Sequence, residues 1–170
     1  MNKKPFSLII LLLCSAYTSV SFSQDTEFKG GTANTQLHLS NGELVRINIT
    51  TIDLDHIAPY KEAVLWGGDS IEEPKRVVSK IEVQVGDKQT HVPFSGYSDL
   101  GDPGVIMVKE TEDGFNMTIF GSDAAGSYTA VLMFKRINGI MLLYHRRVAS
   151  GEFPELFWQD TTYSYVTNIK

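Results

Sequence analysis

Short apolar segments that alternate with polar residues, and are separated by turn signals, constrain the fold of this chain more than any other feature. Val45, Ile47 and Ile49 alternate with polar residues, and a period of two places successive side chains on opposite faces of a strand. Asn-Gly pairs stand at 41–42 and 138–139, and this pair is the strongest short hairpin signal. The sequence therefore predicts an antiparallel all-β fold.

Segments of this kind recur about every 8–12 residues, a spacing typical of a sandwich or barrel. Helix is expected only as short turns, at 95–100 with Ser95 as the N-cap, at 123–127, and at 59–66. We predict an antiparallel β-sandwich or barrel of about nine short strands with one or two short helical turns. The expected strands are Asn34–Ser40, Glu43–Ile52, Val77–Val85, Gln89–Pro93, Val105–Val108, Phe115–Phe120, Ser127–Lys135, Ile140–Val148 and Leu156–Val166.

Residues 1–23 have the pattern of an export signal. Two lysines precede an apolar run of seven residues that ends at Cys14, and small and polar residues follow it. The run is far shorter than the ~18–20 residues that cross a bilayer. We predict cleavage after Ser23, one β-rich domain over 24–170, and a periplasmic or secreted location. Lipidation of Cys14, as in bacterial lipoprotein signals, is the alternative.

The charge of the chain excludes some partners. The net charge is −5, and removal of the signal with its two lysines makes it −7. A nucleic-acid partner needs a basic footprint, so we predict none. An acidic protein is steered toward basic partners, so a basic protein is the expected class. The only cysteine leaves with the signal, so the mature domain must be held by packing rather than by a disulfide.

One short motif suggests catalysis. Gly68-Asp69-Ser70 resembles the nucleophile block of the GDSL esterases, in which histidine activates the serine, and Asp53-x-x-His56 matches the spacing of their base. In that family the histidine block follows the serine, whereas here it precedes it. The family also needs helices alternating with parallel strands, which this sequence lacks. We therefore predict that the chain is not an enzyme, with a serine hydrolase at Ser70 as the alternative.

Two loops rich in Tyr, Ser and Gly are the predicted binding residues. Tyrosine supplies rigid amphipathic area, and serine and glycine supply adaptable contacts. The alternative is that each tyrosine packs inward and anchors a corner of the sandwich. The predicted binding residues are Ser95, Gly96, Tyr97 and Asp99 of the first loop, and Asp123, Ser127 and Tyr128 of the second.

Metal and cofactor motifs do not stand out. The four histidines form no pair at ligand spacing, and the acidic segment 53–75 has no EF-hand spacing. We predict neither a metal nor a cofactor.

Two adjacent arginines, Arg146 and Arg147, fall on one predicted strand. Their side chains must point to opposite faces of the sheet. We expect one of them to form a structural ion pair or a stacking contact. The expected partners are Glu152, Asp160 and Trp158.

Segments 92–100 and 121–130 resemble stretches of small secreted bacterial proteins of unassigned function, a likeness that extends over 62–165. A looser similarity is to the periplasmic lysozyme inhibitors, some of which present a Ser-Gly-x-x-Tyr loop to the enzyme. Here Ser95-Gly96-Tyr97 lacks the spacer. The first resemblance implies no reaction. The small size of the domain, its charge of −7 after removal of the signal, and the two loops together with the acidic segment 53–73 predict an exported protein-binding module. Its most concrete form is an inhibitor or immunity protein against a cell-wall hydrolase. The alternatives are a structural envelope protein and a small-ligand carrier, whose cavity would be lined by Phe115, Phe120, Phe134 and Trp158.

Overall fold

The computed structural model describes residues 25–54, 73–121, 127–151 and 158–165, and the predicted signal 1–23 lies outside them. Two antiparallel sheets confirm the all-β sandwich. No helix of the described ranges is long and apolar enough to cross a membrane. The strands are β1 (Thr26–Glu27), β2 (Thr32–His38), β3 (Leu44–Asp53), β4 (Arg76–Val85), β5 (Lys88–Thr90), β6 (Pro103–Thr111), β7 (Gly114–Gly121), β8 (Tyr128–Ile137), β9 (Ile140–Ser150) and β10 (Trp158–Thr162).

The strand order follows the chain closely. One sheet has the order β1-β6-β7-β8-β9-β10 and the other the order β2-β3-β4-β5. Among the described strands, the chain therefore passes between sheets twice, from β1 to β2 and from β5 to β6. The second crossing contains a 3-10 turn at Phe94–Gly96. Both sheets are otherwise meanders of neighbouring strands.

The second Asn-Gly pair shows why the meander forms. Asn138 and Gly139 have φ angles of 51° and 79°, the left-handed conformation that a type I′ hairpin turn needs at both central positions. Ile137 and Ile140 pair on either side of the turn. The predicted hairpin between β8 and β9 is confirmed.

The core lies between the facing sides of the two sheets. Phe115 and Phe134 are fully buried there, and their rings stack with centroids 4.6 Å apart. Phe120 and Trp158 are exposed instead. The four aromatic residues therefore do not line one cavity, because two of them fill the core and two face solvent.

Two local details differ from the expectations. The 3-10 turn begins at Phe94 rather than Ser95, and its N-cap is Pro93, which makes no side-chain cap bond. The alternation of β4 is interrupted at Ser79, where the pairing with β3 shifts register, and the Ser79 hydroxyl donates to the Thr50 carbonyl at 3.0 Å. The shift leaves both Val77 and Val78 buried. The turn expected at 59–66 lies outside the described residues.

Two glycines of the six-stranded sheet provide a matched test of this packing. A Cβ on Gly114 would lie 2.2 Å from the Phe134 carbonyl oxygen, whereas one on Gly104 would meet nothing nearer than 3.6 Å. We expect Gly114→Ala to lower the free energy of unfolding by about 3 kcal/mol. We expect Gly104→Ala to stay within about 1 kcal/mol of wild type. Urea denaturation measures both, and equal effects would contradict the packing described here.

Candidate functional site

The first predicted loop turns its tyrosine inward and presents a phenylalanine. Gly96 and Tyr97 are buried and Ser95 is exposed, while Phe94 is 53% exposed. The two rings meet edge to face, with centroids 5.6 Å apart, a favoured arrangement for aromatic pairs. The side chain available to a partner here is therefore Phe94, which the sequence analysis did not select.

The second predicted loop also buries its tyrosine. Tyr128 lies over Gly121, where a Cβ would come within 2.0 Å of the tyrosine ring, so only glycine fits. Ser127 is half-buried, and its carbonyl accepts a hydrogen bond from the Gly151 amide at 2.7 Å. Asp123 lies outside the described residues. The burial of both tyrosines favours their role as corner anchors.

A buried ion pair joins the first loop to the six-stranded sheet. The Nη2 group of Arg146 donates to both carboxylate oxygens of Asp99, at 2.5 and 2.6 Å. Their side chains are 3% and 17% exposed. Arg146 therefore points inward, as the alternation of the strand requires, and its partner is Asp99 rather than any residue expected from the sequence.

Tyr128 of the second loop lies near the charged groups of the first. Burial raises the pKa of Tyr128 far above its usual value; the charges of Asp99 and Asp102 raise it further, and that of Arg146 opposes them. The Tyr128 hydroxyl is buried without a hydrogen-bond partner in the described structure. The two loops thus meet at a buried corner where tyrosine stays neutral.

Arg147 points outward and pairs with Asp160, one of the partners expected from the sequence, in a polar cluster whose other members the sequence analysis missed. Its Nε and Nη2 donate to the two oxygens of Asp160, at 2.8 and 2.9 Å. His145 bridges Asp160 and Thr162, with its Nε2 3.0 Å from Asp160 Oδ1 and its Nδ1 3.2 Å from Thr162 Oγ1. Cross-strand register is the cause, because β9 and β10 place His145 opposite Thr162 and Arg147 opposite Asp160.

This cluster has the residue types of a hydroxyl, base and carboxylate relay, but Arg147 changes its chemistry. Its two hydrogen bonds are the main reason that the pKa of Asp160 is lowered to about 2, with a smaller contribution from His145. The carboxylate is thereby held as the partner of an arginine. The absence of enzyme activity stays a prediction.

The esterase-like motif is only partly described. Asp53 accepts a hydrogen bond from Arg76 Nε at 2.7 Å on the surface. His56 and Ser70 lie outside the described residues.

An aromatic row crosses the outer face of the six-stranded sheet next to the polar cluster. Register places Trp158 beside Ala149, Ala149 beside Thr129, Thr129 beside Phe120, and Phe120 beside Val105. We call these five residues the aromatic row. Trp158 is 53% exposed. The row is an apolar surface with two aromatic side chains, and no single segment of the sequence reveals it.

Neither a metal site within the described residues nor a similarity to a known protein indicates a function. Within the described ranges, no group of three or more His, Cys, Asp and Glu side chains is placed to hold a metal ion. The chain matches no protein-family model, no curated protein and no solved structure.

The two ion pairs differ in burial and should differ in stability. Removing Asp99 leaves Arg146 buried and uncompensated, so we expect Asp99→Asn to lower the free energy of unfolding by about 3 kcal/mol. Asp160→Asn breaks an exposed pair and should have a much smaller effect. Denaturant unfolding measures both. An Asp99→Asn effect no larger than that of Asp160→Asn would contradict the structural role given to the buried pair.

The pKa of Asp160 leads to a pH effect of known sign. Because the folded pKa is about 2 and the unfolded value is about 3.9, the group stabilises the fold fully above the unfolded pKa. That contribution is lost as the pH falls through 4 toward about 2. Carboxyl NMR titration should give a midpoint near 2 in wild type and a higher one in Arg147→Ala. An unchanged midpoint in that variant would exclude Arg147 as the cause.

Proposed function

We propose that this chain is an exported module that binds a basic protein, and that its most concrete role is inhibition of, or immunity to, a cell-wall hydrolase. Export is inferred from the charged start, short apolar run and small residues of 1–23. The single observation that carries the binding function is the aromatic row on the outer face of the six-stranded sheet.

The aromatic row has the chemistry of an interface centre. Trp158 is about half exposed, and Phe120 lies three strands away from it across the same outer face. Tryptophan, tyrosine and arginine dominate the binding energy of protein interfaces. Half-buried Val131 and Met107 lie on the next row, so the apolar surface extends along the strands as well as across them.

A polar rim borders this apolar surface. Arg147, Asp160 and His145 occupy the adjoining positions of β9 and β10 and are fixed to one another by hydrogen bonds. Fixed side chains lose little conformational freedom when a partner docks, which favours affinity. An apolar centre with a polar rim is the usual anatomy of a protein interface.

The negative net charge of the chain favours a basic protein as its partner. A net charge of −5, or −7 after removal of the signal, produces an attractive field for a basic protein. Such steering mainly increases the association rate and weakens as salt is added. A basic enzyme is attracted to an anionic cell wall by the same long-range field, which makes a cell-wall hydrolase a suitable partner.

A capture experiment from a periplasmic extract tests this proposal. We expect the mature chain, immobilised at low salt, to retain a basic hydrolase. Trp158→Ala should weaken the measured affinity by about 30-fold or more, because truncation of a central aromatic side chain commonly costs about 2 kcal/mol.

Phe94→Ala is the matched control, because Phe94 and Trp158 are equally exposed, at 53%. The control should bind like wild type. Loss of binding in Phe94→Ala but not in Trp158→Ala would assign recognition to the first loop and contradict a role for the aromatic row. Recovery of no protein partner at any salt concentration would overturn the proposed function.

A further inference from the structure

The outer face of the four-stranded sheet carries a second surface, on the opposite side of the sandwich from the aromatic row. A groove of about 770 Å³ runs over it. Half of the residues that line it have side chains that end in an amide, and Arg46 and Glu82 are its two charged residues. We call this surface the amide groove. The side chains that define it are Asn34, Gln36, Arg46, Asn48, Gln84 and Gln89.

Strand register arranges these side chains in rows. Gln36, Arg46, Gln84 and Gln89 stand opposite one another across all four strands. Neighbours in such a row have Cβ atoms ~4.5–5.5 Å apart, and three strand spacings make the row ~14 Å long. Asn34 and Asn48 begin the adjacent row. The groove is therefore long enough for an extended chain rather than a single small molecule.

The hydrogen-bonding capacity of the groove is largely unused. The side chains of Gln36, Arg46 and Gln89 make no hydrogen bond within the described structure. Asn48 donates through Nδ2 to Glu82 at 3.3 Å, but its Oδ1 is buried and has no partner. A buried acceptor without a donor costs free energy. The exposed side chains of Gln36, Arg46 and Gln89 are the groups that remain available to a ligand.

The charge of the groove argues against nucleic acid and other polyanions as its ligands. Arg46 and Glu82 are the two charged side chains that line it, and Lys80 is the ion-pair partner of Glu82 at 2.5 Å. One arginine beside a carboxylate does not make the basic stripe that nucleic acid or another polyanion requires. The defining side chains also lack the apolar anchors of a protein interface. An uncharged ligand complements this face best.

We propose that the amide groove binds a neutral polysaccharide chain. Each amide offers a donor and an acceptor in one plane, and Arg46 offers a fork of donors. Adjacent sugar hydroxyls both donate and accept hydrogen bonds, so they can pair with a row of amide side chains. This site does not depend on the proposed function. The two surfaces on opposite faces would allow the module to hold a glycan while a protein occupies the aromatic row.

NMR titration of the mature chain with neutral hexasaccharides of glucose, xylose and N-acetylglucosamine tests the proposal. We expect at least one of them to shift the side-chain NH₂ signals of Gln36, Asn48 and Gln89 while the indole signal of Trp158 stays unchanged. Arg46→Ala and Gln36→Ala should each weaken that binding by about three- to tenfold, the effect of a lost hydrogen bond. Gln84 is left intact, because its amide also donates to the Gly86 carbonyl at 2.9 Å.

Gln159→Ala is the matched control, because it removes an exposed amide from β10 of the other sheet. It should bind like wild type. Circular dichroism of each variant establishes that it is folded. Absence of shifts with all three sugars, shifts spread evenly over both sheets, or binding of a sulfated polysaccharide alone would overturn the proposal. Recovery of no protein partner in the capture experiment would overturn the proposed function and leave this result unaffected.

Discussion

The ion pair between Asp99 and Arg146 fixes the place where the chain returns from the four-stranded sheet to the six-stranded sheet. Arg146 is buried in the interior face of β9, and an arginine in that position is tolerated only when a carboxylate meets it. Asp99 supplies that carboxylate from the crossing segment. Asp102 continues the attachment, because its carboxylate accepts the backbone amides of Lys75 and Arg76 at 3.0 and 2.9 Å. The crossing is thus tied to both sheets.

Because this corner is buried, the two loops offer their tyrosine side chains to the core rather than to a partner. Loops that carry tyrosine, serine and glycine suggest recognition, yet Tyr97 and Tyr128 are part of the buried corner around the ion pair. The surfaces left to partners are the outer faces of the two sheets. One carries the aromatic row and the other the amide groove, and their chemistries differ enough to fit different partner classes.

The features predicted from the sequence are those encoded locally. The alternation around Ile47 and the Asn138-Gly139 turn are properties of a few neighbouring residues, so the strands, hairpins and sandwich followed from them. The partner of Arg146 is 47 positions away in the chain, and the aromatic row joins residues of five strands. Such contacts depend on register, which a bulge such as that at Ser79 displaces by one residue. Burial of the tyrosines as corner anchors is one of the two interpretations that the sequence supports, and the structure favours it.

Amide hydrogen exchange at the second crossing tests the central claim most directly. The amides of Tyr97 and Leu100 donate to the carbonyls of Phe94 and Tyr97 at 3.1 Å each, and that of Val78 donates to Leu100 at 3.0 Å. If the ion pair locks this segment, these amides should exchange only through global unfolding, as slowly as that of Val148 in β9. Fast exchange at Tyr97 and Leu100 in a folded protein would show a mobile loop and contradict the account.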